Sequence, residues 1–297
     1  MANRRVLIKR RKAARNIRKI TRTMQLIATA RFQAAFNRAT ATKPYSQKLA
    51  ELAADLSRAA GEEVSHPLLA THDEVPRSAL VVLTSDRGLA GGYNAGVLRA
   101  ALAHLDEQRE RGIETDVHMV GKKGIGYFRF LRRPVAEQTT GVSDKPRFDQ
   151  VEPIANALMA RFLAGEIAAA HVASMQFHSA GVQRPGVMQL LPLAERAPEP
   201  PAGAGPGTPG RQIEYEFSPG PAELLDELLP ATVRVRLFQA FTDAAVSEQV
   251  ARMVAMKAAT DAAGDMIKTL TRQYNRARQT QITMELLDIV GGANALS

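Results

Sequence analysis

Cysteine is absent from all 297 residues of the chain. That absence removes disulfides, thiolate catalysis, thiol-based regulation and cysteine-ligated metal. Acidic residues are absent from the amino end: every charged side chain from Arg4 to Lys48 is basic, and Glu51 is the first carboxylate. No run of about 18 apolar residues occurs, so no segment reads as a membrane-spanning helix. Aromatic residues make up only 5% of the chain, too few for a row of base-stacking platforms. Proline is missing from Ala231 to Ser297, so nothing there forces a helix to stop.

Charge and rhythm take their place. A net charge of +9 implies an acidic partner, whether nucleic acid, anionic lipid or acidic protein. Among the basic residues of the amino end runs an apolar row, Ile17, Ile20, Met24 and Ile27, whose steps of three, four and three place it on one helix stripe. The arm is therefore expected to meet one partner by packing and another by charge. It is predicted to be helical from near Asn3 to Ala60, with Gly61 as a left-handed stop. Pro44 interrupts it, and the resumption of the spacing at Leu49, Leu52 and Leu56 predicts one bent helix rather than two. A basic, acid-free start resembles an organellar transit peptide, but it has no serine before Ser46 and its stripe outlasts a short leader, so it reads as mature structure.

The carboxyl end carries the matching pattern. A helix is predicted to begin by Glu223 and to bend at Pro230. Beyond it Met256, Thr260, Ala263, Ile267, Leu270, Tyr274, Ala277, Gln281 and Met284 alternate steps of four and three, the heptad spacing of a left-handed coiled coil. At about 1.5 Å per residue, Ala231 to Val290 makes a rod on the order of 90 Å. Such a rod is stable only if its stripe is covered, and the amino-terminal arm offers a complementary stripe. Small residues there, Ala28, Ala30, Ala34 and Ala35, permit close helix approach. The competing arrangement is separate helices folded back on the middle of the chain.

Between the two ends the pattern changes to short apolar runs alternating with amphipathic segments, as in a mostly parallel sheet covered by helices. Strands are expected at 79–84, 116–120, 135–139, 171–177 and 187–191, and helices at 94–111, 124–131 and 148–163. His66-Pro67 and the polar stretch to Arg77 read as a linker. The proline-, glycine- and alanine-rich stretch at 197–210 reads as a flexible loop, followed by a strand near Ile213 to Phe217. The predicted fold is thus α/β, a Rossmann-like domain at 75–217 joined to a long coiled coil of the terminal helices, 1–61 and 221–297.

Several local features resemble catalytic motifs without completing one. Gly88, Gly91 and Gly92 follow the first predicted strand, where an α/β fold often cradles phosphate, but their spacing is not the dinucleotide fingerprint and no P-loop lysine-threonine pair accompanies them. A tight strand-to-helix turn with Asp86 and Arg87 paired is the favoured reading. Gly121, Gly124 and Gly126, beside Lys122 and Lys123, read as a helix start. His66, His72, His104, His118, His171 and His178 show no metal-ligand spacing, and no serine sits in a nucleophile elbow. No catalytic, cofactor-binding or metal site can be assembled from these residues.

The family resemblance lies in longer stretches. The arm from Arg15 to Ala28, RNIRKITRTMQLIA, the turn from Thr84 to Gly92, TSDRGLAGG, and the run from Ala251 to Asp261, ARMVAMKAATD, resemble the gamma subunit of F-type ATP synthases. Ile282-Thr283, Glu285, Asp288, Gly292-Ala293 and Ala295 fit that family's carboxyl-terminal signature, and Tyr274 to Gln279, YNRARQ, matches immediately before it. The resemblance runs nearly end to end.

It implies a rotor shaft without a catalytic or nucleotide site of its own. In that family the terminal helices form an antiparallel coiled coil inside a ring of three alpha and three beta subunits, while the α/β domain rests with the epsilon subunit on the membrane-embedded c-ring. Proton flow turns the ring, and the asymmetric shaft drives the catalytic sites through their conformations. Met24 with its basic neighbours Arg10 and Arg22, together with Arg278, Gln279 and Thr283, resemble the positions that face acidic catch loops of the beta subunits. The end from Ile289 to Leu296, Val290 included, resembles the tip that turns in an apolar bearing. The implied location is peripheral, on the cytoplasmic face of a bacterial inner membrane, through partners alone. In chloroplast relatives a dithiol insert occupies the region of 197–210, and a chain without cysteine lacks that regulation. Two other classes fit parts of the sequence: a basic coiled-coil protein that binds nucleic acid through its arm, and an α/β enzyme with helical extensions. Neither accounts for both ends.

Overall fold

A computed structural model describes residues 4–60, 66–72, 74–193 and 221–294. The elements in order are α1 (Arg4–Ala60), β1 (Arg77–Leu83), α2 (Tyr93–Glu110), β2 (Glu114–Val120), α3 (Lys122–Phe130), β3 (Glu137–Thr139), α4 (Phe148–Leu163), β4 (Ala169–Ser179), β5 (Val182–Leu191) and α5 (Pro221–Asn294). The chain divides into two compact units. One comprises residues 31–251 and the other pairs residues 1–30 with 252–297. The predicted stop at Gly61, the loop at 197–210 and the strand near Ile213 to Phe217 lie outside the described residues.

Unit 31–251 is built on a five-stranded sheet in the order β3-β2-β1-β4-β5. All neighbours are parallel except β4 and β5, which form an antiparallel pair. The central strand β1 is buried on both faces after Arg77, which explains its uninterrupted apolar run, SALVVL. Strand alternation then sorts its side chains. Leu80 and Val82 face a layer that contains Val97 and Ala101 of α2 and Phe128 of α3. Ala79, Val81 and Leu83 face Leu158 and Phe162 of α4 and Leu237 and Phe241 of α5. The sheet is therefore covered on both sides, the mostly parallel α/β architecture that the alternating pattern predicts.

The turn after β1 is held by a hub unlike the expected Asp86–Arg87 pair. Asp86 Oδ1 accepts from the Lys122 amide at 3.1 Å, and Oδ2 accepts from the Gly141 amide at 2.8 Å and the Ser143 hydroxyl at 3.1 Å. Arg87 turns instead to Asp144, 3.3 Å away, which also takes Arg31 of α1 at 3.3 Å. The carboxylate of Asp86 thus occupies amide donors that a phosphate at this turn would need. Two glycines complete the joint between β1 and the start of α3. Gly121 has φ +96°, and a Cβ there would stand 2.2 Å from the Thr84 carbonyl oxygen. At Gly124 a Cβ would stand 2.3 Å from Met119 Sδ, and its amide donates to Thr84 Oγ1 at 2.9 Å.

Both long helices run unbroken through their prolines, Pro44 in α1 and Pro230 in α5. In this unit α1 and α5 meet β4 through Ala35, Ala39, Phe177, Val246 and Val250, with Phe36 edge-on to Phe177 at 5.9 Å between centroids.

Candidate functional site

The unit formed by 1–30 and 252–297 carries the predicted partner-binding residues. Its seam differs from the predicted one on the α1 side. The buried residues are Leu7, Ala14, Thr21 and Ala28, a seven-residue repeat of mostly small side chains. Ile17, Ile20 and Ile27 stand outside, with Ile20 58% exposed, and Met24 is half-buried. The apolar row is therefore a surface feature, because small residues let two helix backbones approach where isoleucines would hold them apart. On α5 the predicted stripe holds from Met256 to Ala277: Met256, Thr260, Ala263 and Leu270 are buried, and Ile267, Tyr274 and Ala277 are half-buried.

Three contacts fix the register. Leu7 and Ala14 pack with Leu270, supported by Ile267, Tyr274 and Ala277. The guanidinium of Arg11 lies 4.9 Å from the centroid of the Tyr274 ring, a cation–π contact that covers apolar surface and keeps its charge outward. Further along, the hydroxyl oxygens of Thr21 and Thr260 stand 2.8 Å apart. Positions on α5 fall as those on α1 rise, so the pairing is antiparallel.

That register leaves the last turns of α5 uncovered. Every residue from Gln281 to Gly291 is exposed, including Ile282, Met284, Leu286, Leu287, Ile289 and Val290. Gln281 and Met284, predicted to continue the buried stripe, are corrected here: opposite them α1 has already reached its first turns. About 15 Å of helix is left with apolar side chains on its surface. Contiguous exposed apolar surface of this kind marks an interaction site.

The predicted residues fall on this surface as follows. Arg10 and Arg22 are exposed on α1, and Arg22 donates to Gln25 Oε1 at 3.1 Å. Arg278, Gln279 and Thr283 are exposed on α5, where the Thr283 hydroxyl donates to the Gln279 carbonyl at 3.0 Å. Val290 is 55% exposed, and Leu296 lies outside the described residues. Since α1 has no carboxylate before Glu51, its positive field is not cancelled along the helix. The surface can attract acidic groups by charge and hold apolar ones by contact. Among the described residues no cluster of three or more His, Cys, Asp or Glu could hold a metal ion, and no helix is long and apolar enough to cross a membrane. Of the Leu7–Ala14–Thr21–Ala28 repeat only Ala28 is among the small residues expected to permit close approach, and Ala30 and Ala34, expected with it, are exposed; the exact heptad interval was the signal for the other three.

Comparison with known proteins places these features in context. A family model described as ATP synthase matches residues 3–296. The chain is 44% identical over 296 residues to the ATP synthase gamma chain of Rhodopirellula baltica, covering 100% of this chain and 99% of that one. It is 42% identical to the ATP synthase gamma chain of Frankia casuarinae, over 96% of this chain and 95% of that one. Among solved structures, a chain of the Euglena gracilis mitochondrial ATP synthase rotor in rotational state 1 aligns with a TM-score of 0.62 at 15% identity, covering 94% of this chain and 98% of that one. A chain from the OSCP/F1/c-ring assembly of the same enzyme, in rotational state 3, aligns with a TM-score of 0.64 at 14% identity over 99% and 94%. At those identities the structural likeness is one of fold.

Proposed function

Because the chain belongs to the ATP synthase gamma-chain family, we propose that it is the central rotor shaft of an F-type ATP synthase, coupling proton flow through a membrane ring to conformational change at the catalytic sites of alpha and beta subunits. The observation that carries this reading is the paired-helix unit whose register ends early, leaving an apolar helix tip and a basic outer face that nothing among the described residues covers. Such a tip calls for a surrounding partner. A ring of three alpha and three beta subunits supplies one, with acidic loops opposite the arginines and an apolar collar around the end.

In functional terms the chain reads in three parts, the helical arms 1–61 and 221–297 and the α/β domain 75–217. The α/β domain docks with the epsilon subunit onto the c-ring, so the protein is peripheral and reaches the cytoplasmic face of a bacterial inner membrane through its partners. Exposed ion pairs contribute about 0–1 kcal/mol each, so Arg10, Arg22 and Arg278 set attraction and register while helix stiffness and shape transmit torque. Gln279 and Thr283 add hydrogen-bonding capacity beside Arg278, Met24 adds an adaptable apolar contact, and Val290 and Leu296 belong to the tip. The chain itself is non-catalytic and works without a cofactor. A nucleic-acid role is the weaker reading, since the relatives that share the whole chain are gamma chains.

The test is purification of a tagged copy from detergent-solubilised membranes of its source. Alpha, beta and epsilon chains and the c-ring should accompany it with ATP hydrolysis activity. Recovery of the chain alone, or with nucleic acid in their place, contradicts the reading.

A further inference from the structure

One face of α3 is turned away from the sheet and still carries rings of the kind a core would hold. Ile125 and Phe128 pack into the layer over Leu80 and Val82. Phe130, two residues and roughly 200° further round the helix, points the opposite way, and it is 81% exposed. Tyr127 and Leu131 are exposed with it. A block of cations surrounds these side chains. From Val117 to Ala136 the chain holds Lys122, Lys123, Arg129, Arg132 and Arg133 and no carboxylate. Asp106 takes Arg133 at 3.0 Å; the other four cations are exposed and pair with no carboxylate among the described residues.

Helix stability does not account for this placement. Lys122 and Lys123 stand in the first turn, where the aligned peptide dipoles disfavour cations and no acidic residue offsets them. Asp86 answers the Lys122 amide and pairs with neither ammonium. Arg129 alone sits where the dipole favours it. Beyond it the chain leaves α3 through a Schellman stop, with the Arg133 amide donating to the Phe128 carbonyl at 3.1 Å. Arg132 holds the left-handed position of that stop, φ +54°, where glycine would be unstrained. Cations thus stand at both ends of α3 at a cost to the helix, so their benefit lies in something the helix meets.

We propose that the outer face of α3 binds the surface of a bilayer that contains anionic lipid, with Phe130 and Tyr127 entering the headgroup layer and the four cations meeting lipid phosphates. Rings that protrude from a convex helix need a partner that closes around them, and a headgroup layer does so without a preformed pocket. Aromatic side chains flanked by lysine and arginine are the composition that settles at that interface. A nucleic-acid strand would answer the cations, but Leu131 offers it no stacking plane. The contact adds a direct attachment to lipid to the one made through partner subunits, and it stands without the rotor reading.

The chain contains no tryptophan, so Phe130→Trp places a single fluorescent reporter on a side chain that supports no core. The full chain carrying it is mixed with vesicles of phosphatidylglycerol and phosphatidylcholine in equal parts. Emission should shift to the blue and be quenched by brominated acyl chains, and vesicles of phosphatidylcholine alone should do neither. Arg129→Gln or Arg132→Gln in that background should each weaken the quenching titration about five-fold. The basic α1 can also hold the chain on such vesicles, so a separate Ile20→Trp reporter is run beside it. The proposal is overturned if position 20 is quenched while position 130 is not, if position 130 responds to neither vesicle, or if both glutamine variants titrate unchanged. A blue shift at position 130 with single-stranded nucleic acid and none with vesicles would overturn it as well.

Discussion

Thr21 of α1 and Thr260 of α5 bring their hydroxyl oxygens to 2.8 Å inside the seam of the paired helices. Each also reaches a carbonyl of its own helix, Thr21 that of Arg18 at 3.2 Å and Thr260 that of Met256 at 2.7 Å. Both residues are buried, so the pair marks a fixed register in an otherwise apolar and small-residue contact. Thr21→Val or Thr260→Val alone should each cost about 0.5–1.5 kcal/mol, since the cross-helix hydrogen bond is lost while the remaining hydroxyl keeps the carbonyl of its own helix. The double variant should cost clearly less than the sum. Urea denaturation of the four proteins measures this, and strict additivity would remove the cross-helix contact from the account.

The glycines around α3 are predicted to behave in opposite ways. Gly121→Ala should destabilise by more than about 3 kcal/mol, combining the positive φ with a collision at the Thr84 carbonyl. Gly126 lies within the same helix with nothing within 4 Å of an added Cβ. There alanine should be neutral or stabilising by up to about 1 kcal/mol.

Asp243 supplies a pH prediction. Burial pushes its carboxyl up to about 6, against the lowering influence of Lys43, His178 and the amide of Gln239. A carboxyl whose folded pKa exceeds its unfolded value disfavours folding while ionised, so its contribution is unfavourable above about 6 and is relieved as pH falls toward the unfolded value near 4. Asp243→Asn should therefore stabilise the chain at pH 8 by up to about 2–3 kcal/mol, with the gain disappearing by about pH 4. A gain independent of pH would show that ionisation is not its source.

Arg278 and Gln279 are exposed on α5 and support no core. Replacing both with alanine should change stability of the isolated chain by no more than about 0.5 kcal/mol. Assembly with alpha and beta subunits, or ATP turnover of the complex, should fall. Unchanged assembly and turnover would remove them from the partner surface.

Ala259 sits beside the seam, in the uninterrupted part of α5. Proline there removes a backbone hydrogen bond and kinks the helix at a cost of about 3 kcal/mol or more. Ala259→Pro should still dock its α/β domain to the membrane ring yet lose most proton-driven ATP synthesis in reconstituted vesicles. Synthesis at the unaltered rate would contradict a torque-bearing shaft.

Much of the fold was legible because its signals are periodic. The helix predicted at 148–163 is α4, Phe148–Leu163, and the buried row from Met256 to Ala277 follows its heptad spacing. Strand β5 begins at Val182, ahead of the predicted Val187, and runs through Pro185 and Gly186, which an edge strand tolerates. The seam of α1 was legible only at Ala28: Leu7, Ala14 and Thr21 pack there with it, while the isoleucines that dominate a hydrophobicity reading point outward. Arg87 was assigned to its neighbour Asp86, whereas the fold brings Asp144 to it from a distant loop. The extent of the exposed α5 end likewise depends on where α1 begins opposite it, a relation between helices that neither helix states alone.

The central claim is rotation, and the absence of native cysteine makes it directly observable. Glu110→Cys, exposed at the end of α2, carries a single fluorescent rod while the beta subunits of the reconstituted complex are fixed to glass. On addition of ATP the rod should turn continuously in one direction, and stop when ATP is exhausted. A complex that hydrolyses ATP while the rod stays still would contradict the account.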